Sequence, residues 1–365
     1  MSAIGLDGVV AATTRLSHVD GERGELIVGG FSIEELATHA TFEETAWLLW
    51  HGDLPTVAEL DTFRKALAAA RGLPQAAHQL LRACARADAD PMDALRITAG
   101  TLSLAATDAV GVLARMPTIV AAFWRLRRKL EPVEPRADLG HAANVLYMLS
   151  GEAPDAERVR ALETYLNTVV DHGLNASTFV ARVITSTGSD LVSAVVGALG
   201  ALKGPLHGGA PGPALDMVFE IGDASRAETV LRQKIEAGER LMGFGHRVYK
   251  VRDPRADVLA AAAERLYDRG ADRSLYTLAR FVEATALRLL EEYKPGRRLQ
   301  TNVEFYTALL LHGLGFDTSL FTPTFAISRT AGWIAHAFEQ QAAGRIIRPQ
   351  SEYVGPRGRR WSRQA

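Results

Sequence analysis

Apolar residues recur with the period of an α-helix along almost the whole of this chain. One stripe occupies positions i, i+3, i+4, i+7, i+8 and i+11: Leu191, Ala194, Val195, Ala198, Leu199 and Leu202. A second stripe stops before Pro295 and Gly296, which end helices: Val282, Ala286, Leu289, Leu290 and Tyr293. This periodicity predicts an all-α, mainly helical fold.

Capping residues place the start of two helices. Ser189 stands just before the first stripe and is predicted to be its N-cap. Asp253 followed by Pro254 predicts a cap and a first helical residue for another helix. Arg255 then lies in the first turn of that helix, where we expect its side chain to point outward.

The N-terminal region departs from the helical pattern. Residues 8–31 carry β-branched residues on both sides of the pair Asp20-Gly21, which favours a tight turn. We therefore predict a small N-terminal β-hairpin. No other segment of the chain predicts a sheet.

Length and composition limit the class of protein. With 365 residues, of which 47% are hydrophobic and 7% aromatic, the chain is long enough for two domains with aliphatic cores. Its formal net charge of -1 gives no bulk attraction to nucleic acid or to an anionic membrane, so neither is expected as a partner.

The chain also lacks the marks of export or membrane insertion. Its first 20 residues carry no basic start and no cleavage signal, and no apolar run approaches the ~20 residues that span a bilayer. The single cysteine, Cys84, cannot form an intrachain disulfide and is expected to be a core thiol. These features favour a cytoplasmic location.

Three titratable residues stand among glycines or small residues, where a ligand can come close to the chain. They are His207 in GPLHGGAP, His246 in MGFGHRVYK and Glu304 in TNVEFYT. Two histidines and a carboxylate are suited to proton transfer near neutral pH. From these settings alone, a structural and a functional role both remain open for each histidine.

Other kinds of site are disfavoured by the motifs. Neither glycine-rich segment has the full pattern of a dinucleotide-binding fold or of a phosphate loop. The ten histidines form no HxH or HExxH pair, and the three of most interest lie more than 30 residues apart, so no metal site is predicted.

Several long segments resemble the citrate synthase family. They match its pattern in order, and most closely that of its bacterial, dimeric members, from about Gly5 to Gly355: LDGVVAATTRLSHVDGERGELI, DPMDALR, DHGLNASTF, GPLHGGAP, MGFGHRVYKVRDPRA, TNVEFYTALLLHGLGF, FTPTFAISRTAGWIAHAFEQ and GRIIRPQSEYVGP.

This resemblance implies a helical fold of two domains with the active site in the cleft between them. Residues 1–210 would form the first part of a large domain, and residues 311–365 its C-terminal part. The inserted residues 211–310 would form a small domain that closes over the substrates. A homodimer is implied, with the C-terminal part contributing to the partner's site.

The reaction implied by the resemblance is that of an acyltransferase of the tricarboxylic acid cycle. Acetyl-CoA, a co-substrate and not a tightly bound cofactor, condenses with oxaloacetate, and the thioester is hydrolysed to citrate and CoA. By position in the family motifs, Glu304 is the base, His207 faces the thioester oxygen, and His246 faces the oxaloacetate carbonyl.

The family motifs also assign substrate-binding residues. Arg255, Arg329 and Arg348 match the arginines that bind the two carboxylates of oxaloacetate, and His172 matches a further ligand. The arginine at the place of Arg348 reaches into the other subunit's site. The backbone from Met242 through Gly243 and Phe244 to Gly245 would bind the adenine of CoA, and Lys250 its phosphates.

The chain departs from the family pattern at two positions. Most members have aspartate where this chain has Glu304, and the extra methylene shifts the carboxylate by an amount that can cost on the order of 10²-fold in rate. Gly29 stands where an arginine is common, and no function is assigned to it.

Two alternatives to citrate synthase therefore stay open. One is a 2-methylcitrate synthase using propionyl-CoA, since one methylene in an apolar pocket is worth only ~1–3 kcal/mol. The other is a catalytically weak homologue that binds acyl-CoA or a dicarboxylate, in which Glu304 has lost the productive geometry.

Overall fold

The computed structural model describes residues 4–6, 8–105, 107–208, 211–246, 248–269 and 272–361. In these ranges the chain forms sixteen α-helices and one small sheet, so the predicted mainly helical fold is confirmed. The helices are α1 (Ile33–His39), α2 (Phe42–His51), α3 (Val57–Ala69), α4 (Gln75–Arg86), α5 (Pro91–Ala99), α6 (Ala109–Arg127), α7 (His141–Ser150), α8 (Ala156–Val169), α9 (Ala176–Ser186), α10 (Leu191–Leu202), α11 (Pro211–Ile221), α12 (Ala224–Glu236), α13 (Pro254–Arg269), α14 (Arg273–Tyr293), α15 (Val303–Gly313) and α16 (Phe321–Ala343).

The predicted hairpin is present and carries a third strand that the sequence did not predict. Strands β1 (Ser17–Asp20), β2 (Glu25–Val28) and β3 (Phe31–Ser32) form an antiparallel sheet in that order. Asp20 pairs with Glu25, so the turn has four residues and not two. The Asp20 carboxylate explains the longer turn, because it accepts from the backbone N–H groups of Glu22 and Arg23.

The helix starts agree with the capping argument, with one correction. Helix α13 begins at Pro254, and Asp253 Oδ1 accepts from the backbone N–H of Arg255 at 3.1 Å, as expected for a cap. The prediction of Ser189 as the cap of α10 is wrong by one residue. Asp190 is the cap and accepts from the N–H of Ser193, since its carboxylate is the stronger acceptor.

Helix α16 is the centre of the larger part of the core. Its 23 residues pack against α2, α6, α8, α9 and α10, and Trp333 on it is fully buried. Helix α13 packs against α8 and α15. The loops that precede α9, α11 and α13 and the first turns of α13 and α15 carry residues of the predicted site, and this packing brings them together.

Helix α6 corrects the expectation that no apolar segment has the length of a membrane span. Its 19 residues are long and apolar enough for one, and it is the one such helix in the part of the chain that the structure describes. However, 67% of its apolar window is buried inside the protein, which is typical of a core helix. Cys84, on the neighbouring α4, is a free buried thiol, as expected.

The predicted small domain, residues 211–310, begins between two helices but ends within one. Helix α11 begins at Pro211, so the first boundary falls between helices. The second falls inside α15, whose backbone hydrogen bonds run without a break across residue 310.

Candidate active site

Six of the seven predicted catalytic and substrate-binding side chains lie in one cluster. The rings of His172 and His246 are 5.8 Å apart between centroids, and the charge of Arg255 acts on both of them and on Glu304. The charge of Arg329 acts on His172 and on His207. The seventh residue, Arg348, is exposed on the segment after α16 and lies outside this cluster.

His246 lies in the loop between α12 and α13 with one ring nitrogen already occupied. Its Nδ1 accepts hydrogen bonds from the backbone N–H groups of Val248 at 3.1 Å and Tyr249 at 3.0 Å. Burial, helped by the charge of Arg255, lowers the pKa of His246 to about 4. The ring is therefore neutral at pH 7, with its proton on Nε2.

His207 lies in the glycine-rich turn after α10. Its N–H donates to the carbonyl of Gly204, and a Cβ on the following Gly208 would lie 2.3 Å from the carbonyl oxygen of Leu202. Only glycine fits there, which explains the Gly after the histidine. Burial and the charge of Arg329 lower the pKa of His207 to about 4, so this ring is also neutral.

Ser177, which the sequence analysis did not single out, is the hydrogen-bond partner of His207. Its Oγ lies 2.8 Å from His207 Nε2, and its backbone N–H points at the same nitrogen from 3.4 Å. Trp333 Nε1–H donates to the Ser177 hydroxyl at 3.2 Å. The N-terminus of α9 and the buried face of α16 thus hold the His207 ring.

Glu304 is the second residue of α15 and lies close to the helix N-cap. Asn302 is that cap, and its side chain accepts from the N–H of Glu304 at 3.0 Å. Burial raises the pKa of the Glu304 carboxyl to about 7, against the opposing effect of Arg255. No donor among the described residues hydrogen-bonds to this carboxylate, which is partly buried.

Arg255 is buried, and the expectation that it points outward is wrong. Only 3% of its surface is exposed, because its Nε and Nη2 donate to the two carboxylate oxygens of Asp253 at 3.0 and 2.8 Å. The bidentate pair neutralises the charge, which lets the first turn of α13 face inward. Its Nη1 is the edge that remains for a ligand.

Arg329 on α16 is buried without a counter-ion. It is 2% exposed, and its Nε donates to the carbonyl of Val169 at 2.7 Å. No carboxylate in the described part of the chain lies within ion-pair distance of its guanidinium, which lies 4.5 Å from the ring centroid of Phe325. Burial lowers its pKa to about 10, and the group stays charged at pH 7.

Two buried carboxylates, which the sequence analysis did not assign to the site, connect the segments that form it. Asp253, besides pairing with Arg255, accepts from the N–H of Val303 at the start of α15. Glu283 on α14 accepts from Arg252, Thr301, Tyr306 and Arg280. The one sequence signal for Glu283 was its position as a charged residue beside the apolar stripe of α14.

The segment Met242–Gly245 supports the start of α15. Gly243 and Gly245 carbonyls accept from the backbone and the side chain of Asn302, and Phe244 forms an isolated antiparallel bridge with Thr301. Gly243 has a φ of +88°, and a Cβ there would lie 2.9 Å from Phe305. The glycines are thus required by the path of the backbone, whatever ligand the segment binds.

Taken together, the cluster contains neutral imidazoles, a carboxyl group with a pKa near 7, and two buried guanidinium groups. Among the described residues, no three His, Cys, Asp or Glu side chains are grouped so as to hold a metal ion. Such a set can bind an anionic substrate and transfer protons on it, which is the chemistry of an acid–base enzyme.

Comparison with known proteins agrees with this chemistry. Residues 5–350 match the family model described as citrate synthase, C-terminal domain. A citrate synthase of Haloferax volcanii is 42% identical over 96% of this chain and 95% of its own. A 2-methylcitrate synthase of Mycobacterium tuberculosis is 40% identical over 96% of this chain and 90% of its own.

A solved structure shows the same fold. It is the citrate synthase of Thermoplasma acidophilum in a ternary complex with carboxymethyl coenzyme A and oxaloacetate. Its TM-score is 0.90, with 31% identity, and the match covers 98% of this chain and 97% of that one. The fold and the site define a helical acyltransferase. The chain belongs to the citrate synthase family.

Proposed function

We propose that this protein condenses acetyl-CoA with oxaloacetate and hydrolyses the product to citrate and CoA. The observation that carries the proposal is the buried, unpaired guanidinium of Arg329 beside two neutral imidazoles and the Glu304 carboxyl. A buried cation without a counter-ion costs several kcal/mol unless a ligand supplies the negative charge. A small dicarboxylate such as oxaloacetate would supply it.

Oxaloacetate would be held mainly by guanidinium groups. Arg329 can offer both Nη groups and Arg255 its free Nη1, because Asp253 occupies only the other edge of Arg255. His172, whose pKa is held well below its usual value by burial and by Arg255, would bind as a neutral donor or acceptor. Two carboxylates would then lie within reach of two fixed cations.

Enolisation of the thioester would be carried out by Glu304 and His207. The Glu304 carboxylate takes a methyl proton, and a pKa near 7 makes it a stronger base than an exposed glutamate. The N–H of Ser177 points at His207 Nε2, which favours Nε2 as the acceptor and leaves the proton on Nδ1. The Nδ1–H of His207 would donate to the thioester oxygen as negative charge develops on that oxygen.

Carbon–carbon bond formation would then be assisted by His246. Its Nδ1 already accepts two backbone N–H groups, so Nε2–H is the only proton that the neutral ring can donate. Donation to the oxaloacetate carbonyl stabilises the alkoxide as the enol attacks. Water hydrolyses the resulting thioester and releases CoA, whose adenine and phosphates we assign to Met242–Gly245 and Lys250.

A second candidate activity is condensation of propionyl-CoA to 2-methylcitrate. A relative with that name is 40% identical to this chain, close to the 42% of a citrate synthase. Discrimination between the two acyl groups rests on one methylene, worth about 10–200-fold in rate. Steady-state release of CoA from acetyl-CoA and from propionyl-CoA, each with oxaloacetate, separates the two activities.

The same assay tests the proposal as a whole. We expect CoA release to depend on oxaloacetate and to saturate with both substrates. If neither thioester releases CoA while both oxaloacetate and acyl-CoA still bind, the proposed synthase activity is wrong and a binding function is favoured, with Glu304 in place of the usual aspartate as the cause.

We further propose that the active unit is a homodimer with shared sites. Arg348 is exposed, and so are large apolar residues on the same C-terminal segment: Ile346, Tyr353, Val354 and Trp361. Exposed apolar side chains along one segment favour burial against another subunit. Arg348 would then complete the dicarboxylate site of the partner, as the family pattern implies.

Two further assignments complete the proposal. We place the protein in the cytoplasm, because a relative by sequence is a citrate synthase and the membrane-length helix found among the described residues is mostly buried, as a core helix is. We also propose that residues 211–310 move as a unit over the substrates, since His246, Arg255 and Glu304 all lie on that segment while His172, His207 and Arg329 do not.

A further inference from the structure

The tip of the N-terminal hairpin packs directly on the loop that carries His246. The carbonyl of Gly21 accepts from the backbone N–H of Lys250 at 2.8 Å. A Cβ on Gly21 would lie 2.2 Å from the carbonyl oxygen of Val248, which no real Cβ tolerates. The contact is between two backbones, so no side-chain rearrangement can make room for a larger residue.

This contact acts on the same stretch of backbone that controls His246. The N–H groups of Val248 and Tyr249 both donate to His246 Nδ1 and so place the ring proton on Nε2. Gly21 packs against the carbonyl of Val248, the first of these two donor residues. The carbonyl of Gly21 accepts from the N–H of Lys250, the residue after the second donor. A displacement of the hairpin tip would therefore move the donors that set the tautomer and direction of His246.

The other end of β1 holds the loop that carries His172. Ser17 Oγ donates to Asp171 at 2.5 Å and accepts from the N–H of Gly173 at 2.8 Å. Asp171 is fully buried, and its second oxygen lies 3.1 Å from His336 Nε2. One four-residue strand thus spans the two loops whose histidines face each other in the cluster.

Gly24 adds a second, softer contact at the tip. It has a φ of +69°, and a Cβ there would lie 2.7 Å from Cγ2 of Val251, a side-chain atom that can shift. The turn therefore meets the 248–251 loop at both of its glycines. The sequence analysis used Gly21 only as a turn residue.

We propose that Gly21 is a positioning residue for His246: the hairpin tip holds the backbone of residues 248–250 so that His246 presents Nε2–H to the electrophilic carbonyl. This inference rests on the proposed function, since it specifies how one group of that mechanism is oriented. Gly21 itself touches neither substrate. Its effect falls on the condensation step and not on enolisation, which uses Glu304 and His207.

The principal test compares Gly21→Ala with Glu22→Ala in the full-length protein. Glu22 is exposed in the same turn, so its truncation leaves the backbone contact in place. We expect kcat for CoA release with acetyl-CoA and oxaloacetate to fall about 10–100-fold in Gly21→Ala, as for a small misplacement of a catalytic group. Oxaloacetate affinity and the kcat of Glu22→Ala should stay within about 3-fold of the parent, since neither change touches the arginines.

A partial reaction separates positioning from a general loss of structure. With a hydroxy diacid such as malate in place of oxaloacetate, no ketone carbonyl is present to be attacked, and exchange of the acetyl methyl protons with D₂O reports enolisation alone. We expect Gly21→Ala to exchange at nearly the parent rate while its condensation is slow. Equal losses in exchange and condensation, or a condensation rate equal to the parent's, would overturn the inference.

A milder variant covers the case in which Gly21→Ala does not fold. A Cβ in Gly24→Ala would lie 2.7 Å from the movable end of Val251 and 3.2 Å from the carbonyl oxygen of Arg252, at a φ of +69°. The backbone approach is less close than at Gly21, so we expect a smaller fall in condensation, restored in part by adding Val251→Ala. Absence of both the fall and its rescue would also overturn the inference. If the parent enzyme itself shows neither exchange nor condensation, the proposed function fails, an outcome distinct from failure of the role assigned to Gly21.

Discussion

Two buried arginines on neighbouring helices differ in how completely they are paired. Arg182 on α9 is 3% exposed and binds Glu339 at 2.9 Å, His336 at 2.8 Å and Gln340 at 3.3 Å. Arg329 on α16 is 2% exposed and has one hydrogen bond, to a backbone carbonyl, among the described residues. The first has partners in the protein, whereas the second lacks an anion.

Two glutamates of the site region, the buried Glu283 and the half-buried Glu304, show the same contrast. Glu283 accepts from four side chains, and these hydrogen bonds hold its pKa below the usual value. Glu304 has no donor in the described residues, and burial raises its pKa to about 7. Burial alone therefore does not identify functional residues here. For charged groups of this cluster, the lack of an ionic partner among the described residues marks Glu304 and Arg329 as candidates, because a ligand can offset the cost of burying a charge.

The largest expected effect comes from removing the unpaired carboxylate. In Glu304→Gln, the rate of CoA release should fall by about 10³-fold or more, because the base is lost while the shape is kept. Oxaloacetate affinity should change little, since the arginines are untouched. Steady-state kinetics and calorimetric binding of oxaloacetate check this, and unchanged turnover would contradict the assignment of the base.

The same substitution should raise stability, with a defined pH dependence. The pKa of Glu304 is raised in the folded state from 4.5 to about 7, so ionisation opposes folding as pH rises through this window. Glu304→Gln should therefore gain on the order of 3 kcal/mol in the free energy of unfolding at pH 8 and nothing at pH 4. Urea unfolding at both pH values tests the sign, and a loss of stability at pH 8 would contradict it.

Substituting each arginine by glutamine should give opposite phenotypes. Arg329→Gln should lower kcat/KM for oxaloacetate by about 30–10³-fold, the loss of one charged contact, and should raise the free energy of unfolding because the buried charge is removed. Arg182→Gln should cost about 3 kcal/mol of stability, because Glu339 is left without its partner, while KM changes little. Kinetics and urea unfolding of both variants decide whether the presence of an ionic partner separates a stabilising arginine from a substrate-binding one. Equal phenotypes would mean that it does not.

Arg348 tests whether the missing anion-binding group comes from a second subunit. Arg348→Ala should raise the oxaloacetate requirement about 10–100-fold, again the loss of a charged contact. When these chains are refolded together with Glu304→Gln chains, about a quarter of the sites should regain both groups if sites are shared across a two-fold dimer. A mixture with no more activity than its components would argue against a shared site.

The smallest expected effect is the pH dependence of the parent enzyme. Since the proposed base Glu304 would act as the carboxylate and burial raises its pKa to about 7, kcat should rise with pH and reach half its plateau near pH 7. At pH 6 it should be about tenfold below the plateau. His207 and His246, with pKa values of about 4, are already neutral above pH 5 and should add no further pH dependence of kcat there. In Glu304→Asp the midpoint should move while the shape of the curve stays the same.

The sequence by itself determined the helices, the hairpin and most members of the site. Periodicity placed α10 and α14, Asp253 and Pro254 placed the start of α13, and motif resemblance selected the histidines and Glu304. These features are local, because they depend on spacing along the chain and on the φ preferences of Gly and Pro. The direction of the Arg255 side chain was wrong because its neutralisation by Asp253 depends on burial, which periodicity in one helix does not report.

Only the tertiary structure decided which polar groups are satisfied. Ser177 beside His207, Glu283 beneath the start of α15, and Gly21 against Val248 each join residues at least 18 positions apart in the sequence. Apart from the family motif around Arg329, nothing in the local sequence distinguishes it from Arg182, since both are arginines on apolar helices. Their difference arises when other helices pack around them: Arg182 forms an ion pair with Glu339, whereas Asp171, whose charge acts on Arg329, lies beyond ion-pair distance of it and is bound to His336.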